Sequence, residues 1–498
     1  MTDLPPEGGK TLGRRTLAGS IWMLFARLVV RGSDFIVLLV LARLLRPEDF
    51  GLVTIAMAIV TILDVVTDLP LTTPLVRLDK VEDRHFNTAF TLGLLRGTVL
   101  FAIVALLAYP VAAFYDDPRL APLLLVLGIG PAVRAMMSPK MSAFFKSLLF
   151  RQAFIMDVGG KSLGVVAAIT FGLLTQSYWA LAVSPLVTRV SAVSLSYWLA
   201  PYRPRLSLSE FRYFWAFLGW MFPAQFTVAI GWQFDRLFLG TFIPTATLGL
   251  YGVAANLTGI VEQSVRTSVN APLVSSFVIA GKDRDRLRRG YTLADTAILT
   301  MGLLAYLLTA VFAEPFVALA FSSEWQAAAP FLQLLAIAMM PALVRIPFRA
   351  LAMAAGRTDL VFFVAALALA IRVPAIAFGF AFAGIEGVIA GIGFGNLANA
   401  VIAMVFVRTL TGMSAAAQLR SMLRPVVATL VGAGIGWTIL RLIVPSEGLA
   451  LFGGLLFGTL AVSLAYLGTV FLLWRLAGSP AGIEKKAIGL VADRLRRR

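Results

Sequence analysis

The chain has 498 residues, of which 59% are apolar and only 14% charged, with a mean hydropathy of +0.86. It lacks the polar surface to cover a soluble core of that size, which excludes a soluble multidomain enzyme, and it is too hydrophobic to be disordered. The absence of cysteine and the single histidine, His85, exclude disulfides, thiol catalysis and Cys- or His-rich metal sites, and the net charge of +17 is better explained by a positive-inside bias and a phosphate-bearing ligand than by nucleic acid.

A membrane-crossing helix needs about 20 mostly apolar residues. By that rule a basic N-tail (1–16) is followed by fourteen spans at 17–43, 50–69, 87–114, 119–139, 152–174, 177–200, 213–240, 247–275, 292–313, 327–349, 359–382, 385–407, 421–441 and 449–474, and by a basic C-tail at 475–498. The first apolar run is too long and too charged for a cleaved signal peptide. If the N-terminus is cytoplasmic, both tails and the even-numbered loops hold 29 basic residues, among them Arg77, Lys80, Lys140, Lys146, Arg203, Arg205, Lys282 and Arg284. The opposite side holds only Arg43, Arg46, Arg119 and Arg441. This asymmetry places both termini in the cytoplasm.

Two segments match at an offset of 198 residues, or six spans: Phe50-Gly51-Leu52-Val53 opens the second span and Leu248-Gly249-Leu250-Tyr251 opens the eighth. An even number of spans per repeat gives two lobes of the same orientation, 17–200 and 213–410, joined by a linker at 201–212. Spans 13 and 14 (411–474) lie outside the repeat. The stretch LARLLRPEDFGLVTIAMAIVTI (41–62), Asn87-Thr88-Ala89-Phe90, Trp179-Ala180-Leu181, Arg203-Pro204-Arg205-Leu206 and DRLFLGTFIPTATLGLYGVAANL (235–257) resemble bacterial polysaccharide transporters. These are the oligosaccharide-lipid flippases of the multidrug/oligosaccharidyl-lipid/polysaccharide superfamily. The resemblance implies an all-α polytopic protein with two six-helix lobes around a central cavity, plus two extra C-terminal helices. It also implies a polyprenyl-diphosphate-linked oligosaccharide as substrate, export for lipopolysaccharide or exopolysaccharide synthesis, and a place in the bacterial inner membrane among polysaccharide-assembly enzymes.

Ionisable residues at membrane depth cost about 2.5–3.5 kcal/mol each and usually face a wet cavity or a partner. Arg27, Arg31 and Asp34 share one helical face, which suits a diphosphate clamp or an internal salt bridge. Arg189, Arg266, Arg372 and Lys161 complete the expected cavity set, with Asp157 an alternative structural partner for Lys161. Arg96 and Arg345 sit near span ends, where snorkelling is open to them. Asp34, Asp235 and Glu262 are the foremost candidates for ion coupling, Asp64, Asp157 and Asp295 the others. Glu262 and Arg266 are also spaced to pair with each other, and His85 falls in a basic loop, away from any relay. Gly387, Gly391 and Gly395 predict close helix packing, and prolines 223, 341, 347 and 374 predict kinks. No Walker A motif, cofactor site or metal site is expected. A drug or ion antiporter of the same superfamily is the second reading, though a cationic drug would want an acidic cavity. A membrane glycosyltransferase, polymerase or ligase is the third, but the loops are short and the repeat has no role in it.

Overall fold

The computed structural model describes residues 9–442 and 448–478, except 69–70, 72–73, 76–77, 79–80, 148–149, 219–221 and 282. The expected topology markers Arg77, Lys80, Lys282 and Glu447 and most of the C-tail lie outside the described residues, as do the side chains of Lys10, Arg14, Arg15, Lys146 and Pro223. Among the described residues every regular element is helical. The long helices are α1 (Gly9–Leu44), α2 (Pro47–Val66), α3 (Asp83–Phe114), α4 (Leu120–Arg134), α5 (Phe150–Thr175), α6 (Trp179–Leu199), α7 (Phe222–Phe242), α8 (Thr245–Ala280), α9 (Arg284–Val311), α10 (Ala328–Met339), α11 (358–382), α12 (385–411), α13 (Ala415–Leu442) and α14 (Leu449–Leu476). Nine helices among the described residues are long and apolar enough to cross a membrane, counting α11 and α12 as one. The chain is a multi-pass all-α membrane protein.

Two expected spans differ in detail. The fourth is a helix of 15 residues, about 22 Å long against a hydrocarbon core of about 30 Å. It stops because the chain turns to meet the end of α6: the Ser138 amide donates to Ser196 Oγ at 3.1 Å and its hydroxyl to the Ala200 carbonyl at 2.8 Å. The tenth is interrupted by a 3-10 turn, Met340–Val344, before helix Arg345–Ala354. Pro341 in the turn cannot supply the amide an unbroken helix needs.

Small residues set the close packing. The α11–α12 hairpin turns at Ala383 and Gly384, and Gly384 has φ +56 with ψ −133, a conformation essentially reserved for glycine. A Cβ on Gly387 would fall on the Gly379 carbonyl, one on Gly391 on the Ala375 carbonyl, and one on Gly395 within 3.1 Å of the Arg372 Cβ. The packing expected of these three glycines is therefore present. In the α5–α6 hairpin, Gly160 faces Thr188 and Ala192, and Gly164 faces Ser184 and Thr188, in the same way.

The chain divides into two compact units, Met1–Gly249 and Leu250–Arg498. In the first, α7 packs on α2. The segment 201–208 runs extended beside the start of α3, held by motif residues: Tyr202 donates to Asn87 at 2.7 Å, the Ser207 amide to Thr91 at 2.9 Å and the Glu210 amide to Thr88 at 3.3 Å. His85 is buried in the first turn of α3, where its Nδ1 accepts from the Glu82 amide at 3.1 Å. It is a helix-capping residue rather than the loop residue the sequence suggests. In the second unit α13 packs on α9 and α14, with Leu307, Phe312, Ala428, Val462 and Tyr466 forming one apolar cluster.

Loop contacts separate the helix ends of the first unit into two groups. Lys140 pairs with Asp83 at 3.8 Å and Arg84 with Glu210 at 3.2 Å, joining expected loops two, four and six. At the other end Tyr115 donates to the Leu237 carbonyl at 3.1 Å, joining the third loop to the end of α7. There the Arg119 guanidinium, hydrogen-bonded to Asp117, holds that carboxyl below the usual carboxylate range. In the second unit Arg288 donates to the carbonyls of Thr411 (2.7 Å) and Gly412 (3.3 Å), joining loops eight and twelve and capping α12.

Candidate functional site

The repeated segments meet directly, and all the residues involved belong to the first unit. A Cβ on Gly51 would fall on the carbonyl oxygen of Thr245, and one on Gly249 on that of Pro47. Positions 47 and 245, like 51 and 249, are related by the 198-residue offset of the repeat. The contact thus joins the two matching segments at corresponding positions. Glycine is required on both sides because backbone lies against backbone.

Three clusters of charge follow from the helix packing. The first is built by α1 against α5. Asp34 receives Arg31 at 3.4 Å and Lys161 at 2.5 Å, while Arg27 is exposed two turns before Asp34. Lys161 therefore pairs with Asp34, not with Asp157, which lies near Arg134 instead. Arg31 and Lys161 thus meet on one carboxylate, Asp34.

The second cluster is balanced. Asp64 on α2 accepts from Arg96 at 2.6 Å and pairs with Arg189 at 3.5 Å, and Asp68 pairs with Arg96 at 3.5 Å. Arg96 does not snorkel: its side chain is 10% exposed and turns inward because Asp64 waits there. Arg189 borders a cavity of about 20 Å³ with Met57, Thr61 and Leu127, room for about one water. Its charge is met inside the unit.

The third cluster lies in the second unit. Glu262 on α8 pairs with Arg345 at 3.7 Å, and Arg266 donates to Gln263 at 2.7 Å. Arg345, too, turns to an internal partner instead of snorkelling. Arg349 stands close to both Arg266 and Arg345 and has no hydrogen-bond or ion-pair partner among the described residues. Three guanidiniums, those of Arg266, Arg345 and Arg349, thus gather here with Glu262. Sequence reasoning counted Arg349 among the basic residues of the tenth loop and read Arg345 as a residue free to snorkel. The signal that would have found them is their i, i+4 spacing, which puts both on one face. Glu262 and Asp64 differ by the same 198 positions as Gly249 and Gly51, so each repeat carries an acid paired to an arginine at equivalent places.

Of the other expected residues, Arg372 is half-buried on α11, where Gly395 packs against its Cα and Cβ. Asp235 is buried on α7, and its neighbour Arg236 is half-buried and donates to Gln233 at 3.1 Å. Clustered basic side chains with fork-shaped donors in each unit suit an anion with several oxygens.

Comparison with known proteins bears on this arrangement. Residues 40–330 match the family model described as polysaccharide biosynthesis protein. The lipopolysaccharide biosynthesis protein WzxC of Escherichia coli (strain K12) is 23% identical over 420 residues, 81% of this chain and 83% of that protein. The succinoglycan biosynthesis transport protein ExoT of Rhizobium meliloti (strain 1021) is 25% identical over 338 residues, 66% of this chain and 67% of that protein. Among solved structures, the lipid II flippase MurJ in an inward closed conformation superposes with a TM-score of 0.67 at 13% identity, covering 92% of this chain and 99% of that one. An inward-facing multidrug resistance MATE family transporter of the MOP superfamily gives 0.62 at 16% identity, over 79% and 100%. These two likenesses concern the fold.

Proposed function

This chain belongs to the polysaccharide biosynthesis protein family, and on that footing we propose that it flips a polyprenyl-diphosphate-linked oligosaccharide from the cytoplasmic to the outer leaflet by alternating access. The single observation that carries this reading is the clustering of basic side chains in each unit, Arg31 and Lys161 on Asp34 and Arg266, Arg345 and Arg349 beside Glu262. A diphosphate must shed its water to cross an apolar core, and fixed guanidiniums replace that hydration. The lipid tail stays in the bilayer while the headgroup passes. The names of WzxC and ExoT, one a lipopolysaccharide biosynthesis protein and the other a transport protein, support the same reading. A drug-cation antiporter would want the opposite sign of charge, and the fold of transporters, with no substantial loop domain expected, speaks for a transporter rather than a transferase, polymerase or ligase.

In this reading all of α1 to α14 cross the bacterial inner membrane, the lobes are 17–200 and 213–410, and both termini are cytoplasmic. Partners are the lipid-linked oligosaccharide, membrane lipids and the membrane enzymes that assemble the polymer. The separation of loop contacts into two ends supports the alternation. Reporter fusions at Asp116 and Glu447 are expected to read outside, and fusions after Lys282 inside; an outside signal at 282–289 overturns the topology. Cells lacking the protein are expected to accumulate the lipid-linked oligosaccharide on the cytoplasmic leaflet. Accumulation on the outer leaflet places the defect after flipping and contradicts the proposal.

A further inference from the structure

One carboxyl in the second unit takes part in none of the charge clusters. Asp295 on α9 is fully buried, eleven residues beyond Arg284 and so about 16 Å along the helix. Facing it, on α13, is Ser421. The Ser421 hydroxyl lies 2.6 Å from the Gln418 carbonyl and 3.1 Å from Asp295 Oδ2. A hydroxyl has one proton to give. The shorter contact is to a carbonyl, which can only accept, so the Ser421 proton goes there. With the hydroxyl proton turned to the carbonyl, a neutral Asp295 supplies the hydrogen for its contact with Ser421.

The surroundings agree with a neutral acid. Asp295 Oδ1, Gln418 Oε1 and the Tyr291 hydroxyl are all buried without a hydrogen-bond partner. Gln418 is held in place by its amide nitrogen, which donates to the carbonyls of Met404 (3.0 Å) and Met413 (3.4 Å). Among the described residues Tyr291, one turn earlier on α9, is the titratable group beside Asp295, and the facing helix α13 also carries Arg420, exposed, and Arg424, half-buried. The other elements packed on α9 bring apolar side chains, Ala336 from α10, Leu343, Val344 and Ile346 from the turn and helix that follow it, and Ala400 and Ala403 from α12, while the charged pair of Glu262 and Arg345 lies beside Tyr306, eleven residues farther along α9. Among the described residues no ion pair reaches Asp295. A carboxylate there would cost several kcal/mol, and for packing alone an apolar side chain would serve better.

We propose that Asp295, with Ser421, Gln418 and Tyr291, forms a proton-binding site between α9 and α13, whose proton is held while the helices are packed and released when water enters between them. On the transporter reading above, its filling and emptying couples export to the proton gradient. The O–H bond of the acid forms on uptake and breaks on release; water carries the proton both ways, and nothing is oxidised or reduced.

Infrared spectroscopy of the full chain in detergent at pH 7 is expected to show the carbonyl stretch of a neutral carboxyl that Asp295→Asn removes. An unchanged band in that variant overturns the site. The asparagine keeps the size of the acid and still donates to Ser421, so insertion and thermal unfolding are expected to match the wild type. Asp295→Leu, which needs no polar partner, is the second variant should the asparagine fail to insert, and it must remove the same band. In proteoliposomes loaded with a short polyprenyl diphosphate bearing a disaccharide, the wild type is expected to shift the leaflet ratio about tenfold per pH unit imposed, as for one coupled proton. Asp295→Asn is expected to move the lipid down its own gradient without responding to pH. A wild-type response in the variant, or drive by sodium instead of protons, overturns the proposal. If the wild type moves no lipid while the infrared band is present, the transporter reading fails and the proton site stands.

Discussion

Alanine at Gly51 or Gly249 is expected to cut export severely while leaving the protein inserted in the membrane. The reason is geometric. In the structure each added Cβ falls on a carbonyl oxygen of the facing helix, Thr245 for one and Pro47 for the other. A helix backbone cannot give way as a flexible side chain does. Overpacking of this kind costs about 1–3 kcal/mol, and a conformation penalised by that amount loses about five- to a hundredfold in population. An alternating-access transporter must visit each of its conformations in every cycle, so the loss appears in the rate. Because both glycines serve one contact, the double variant is expected to cost less than the two single losses combined. Export by either alanine variant at the wild-type rate and wild-type amount would mean that the helices need not close here.

Two arginines separate folding from transport. Arg96→Gln is expected to reduce the amount of folded protein sharply, because it leaves Asp64, 14% exposed, without its closest partner. Breaking a buried pair from one side costs about 3–5 kcal/mol. Arg349→Gln is expected to do the reverse. Arg349 has no partner to orphan among the described residues, and its removal relieves repulsion from Arg266 and Arg345. Thermal unfolding in detergent is therefore expected to be unchanged or slightly raised, while export falls at least as far as loss of one charge-assisted contact, about 1.5–3 kcal/mol or about ten- to a hundredfold. Arg349→Lys keeps the charge and loses the fork, so only partial recovery is expected. Normal export by Arg349→Gln would remove the third cluster from the substrate path.

Much of the fold was legible because membrane helices announce themselves by apolar length. The glycines were legible too: Gly51 and Gly249 through the repeat, Gly387 and Gly391 through their spacing. Pairing was harder to read. The sequence puts Lys161 four residues from Asp157, a helical neighbour, yet the lysine reaches Asp34 on another helix. Arg96 and Arg345 look like snorkelling residues because they sit near span ends, but a carboxylate on a neighbouring helix draws each inward. Charge partners across helices depend on which helices pack, and one sequence carries no record of that. The short α4 likewise follows from Ser138 meeting Ser196 and Ala200, a contact 58 to 62 residues distant in sequence.

The central claim is that the chain moves a lipid-linked sugar between leaflets. The most direct measurement uses the purified full chain in vesicles carrying a polyprenyl-diphosphate-linked oligosaccharide in both leaflets. A membrane-impermeant glycosidase is added outside, and the fraction of lipid cleaved is followed in time. Vesicles with the wild type are expected to lose nearly all of the lipid, those with Arg349→Gln to pass the outer half about ten- to a hundredfold more slowly, and those with no protein to stop at the outer half. Cleavage stopping at half with the correctly folded wild type, under an imposed ion gradient as well as without one, would contradict the account.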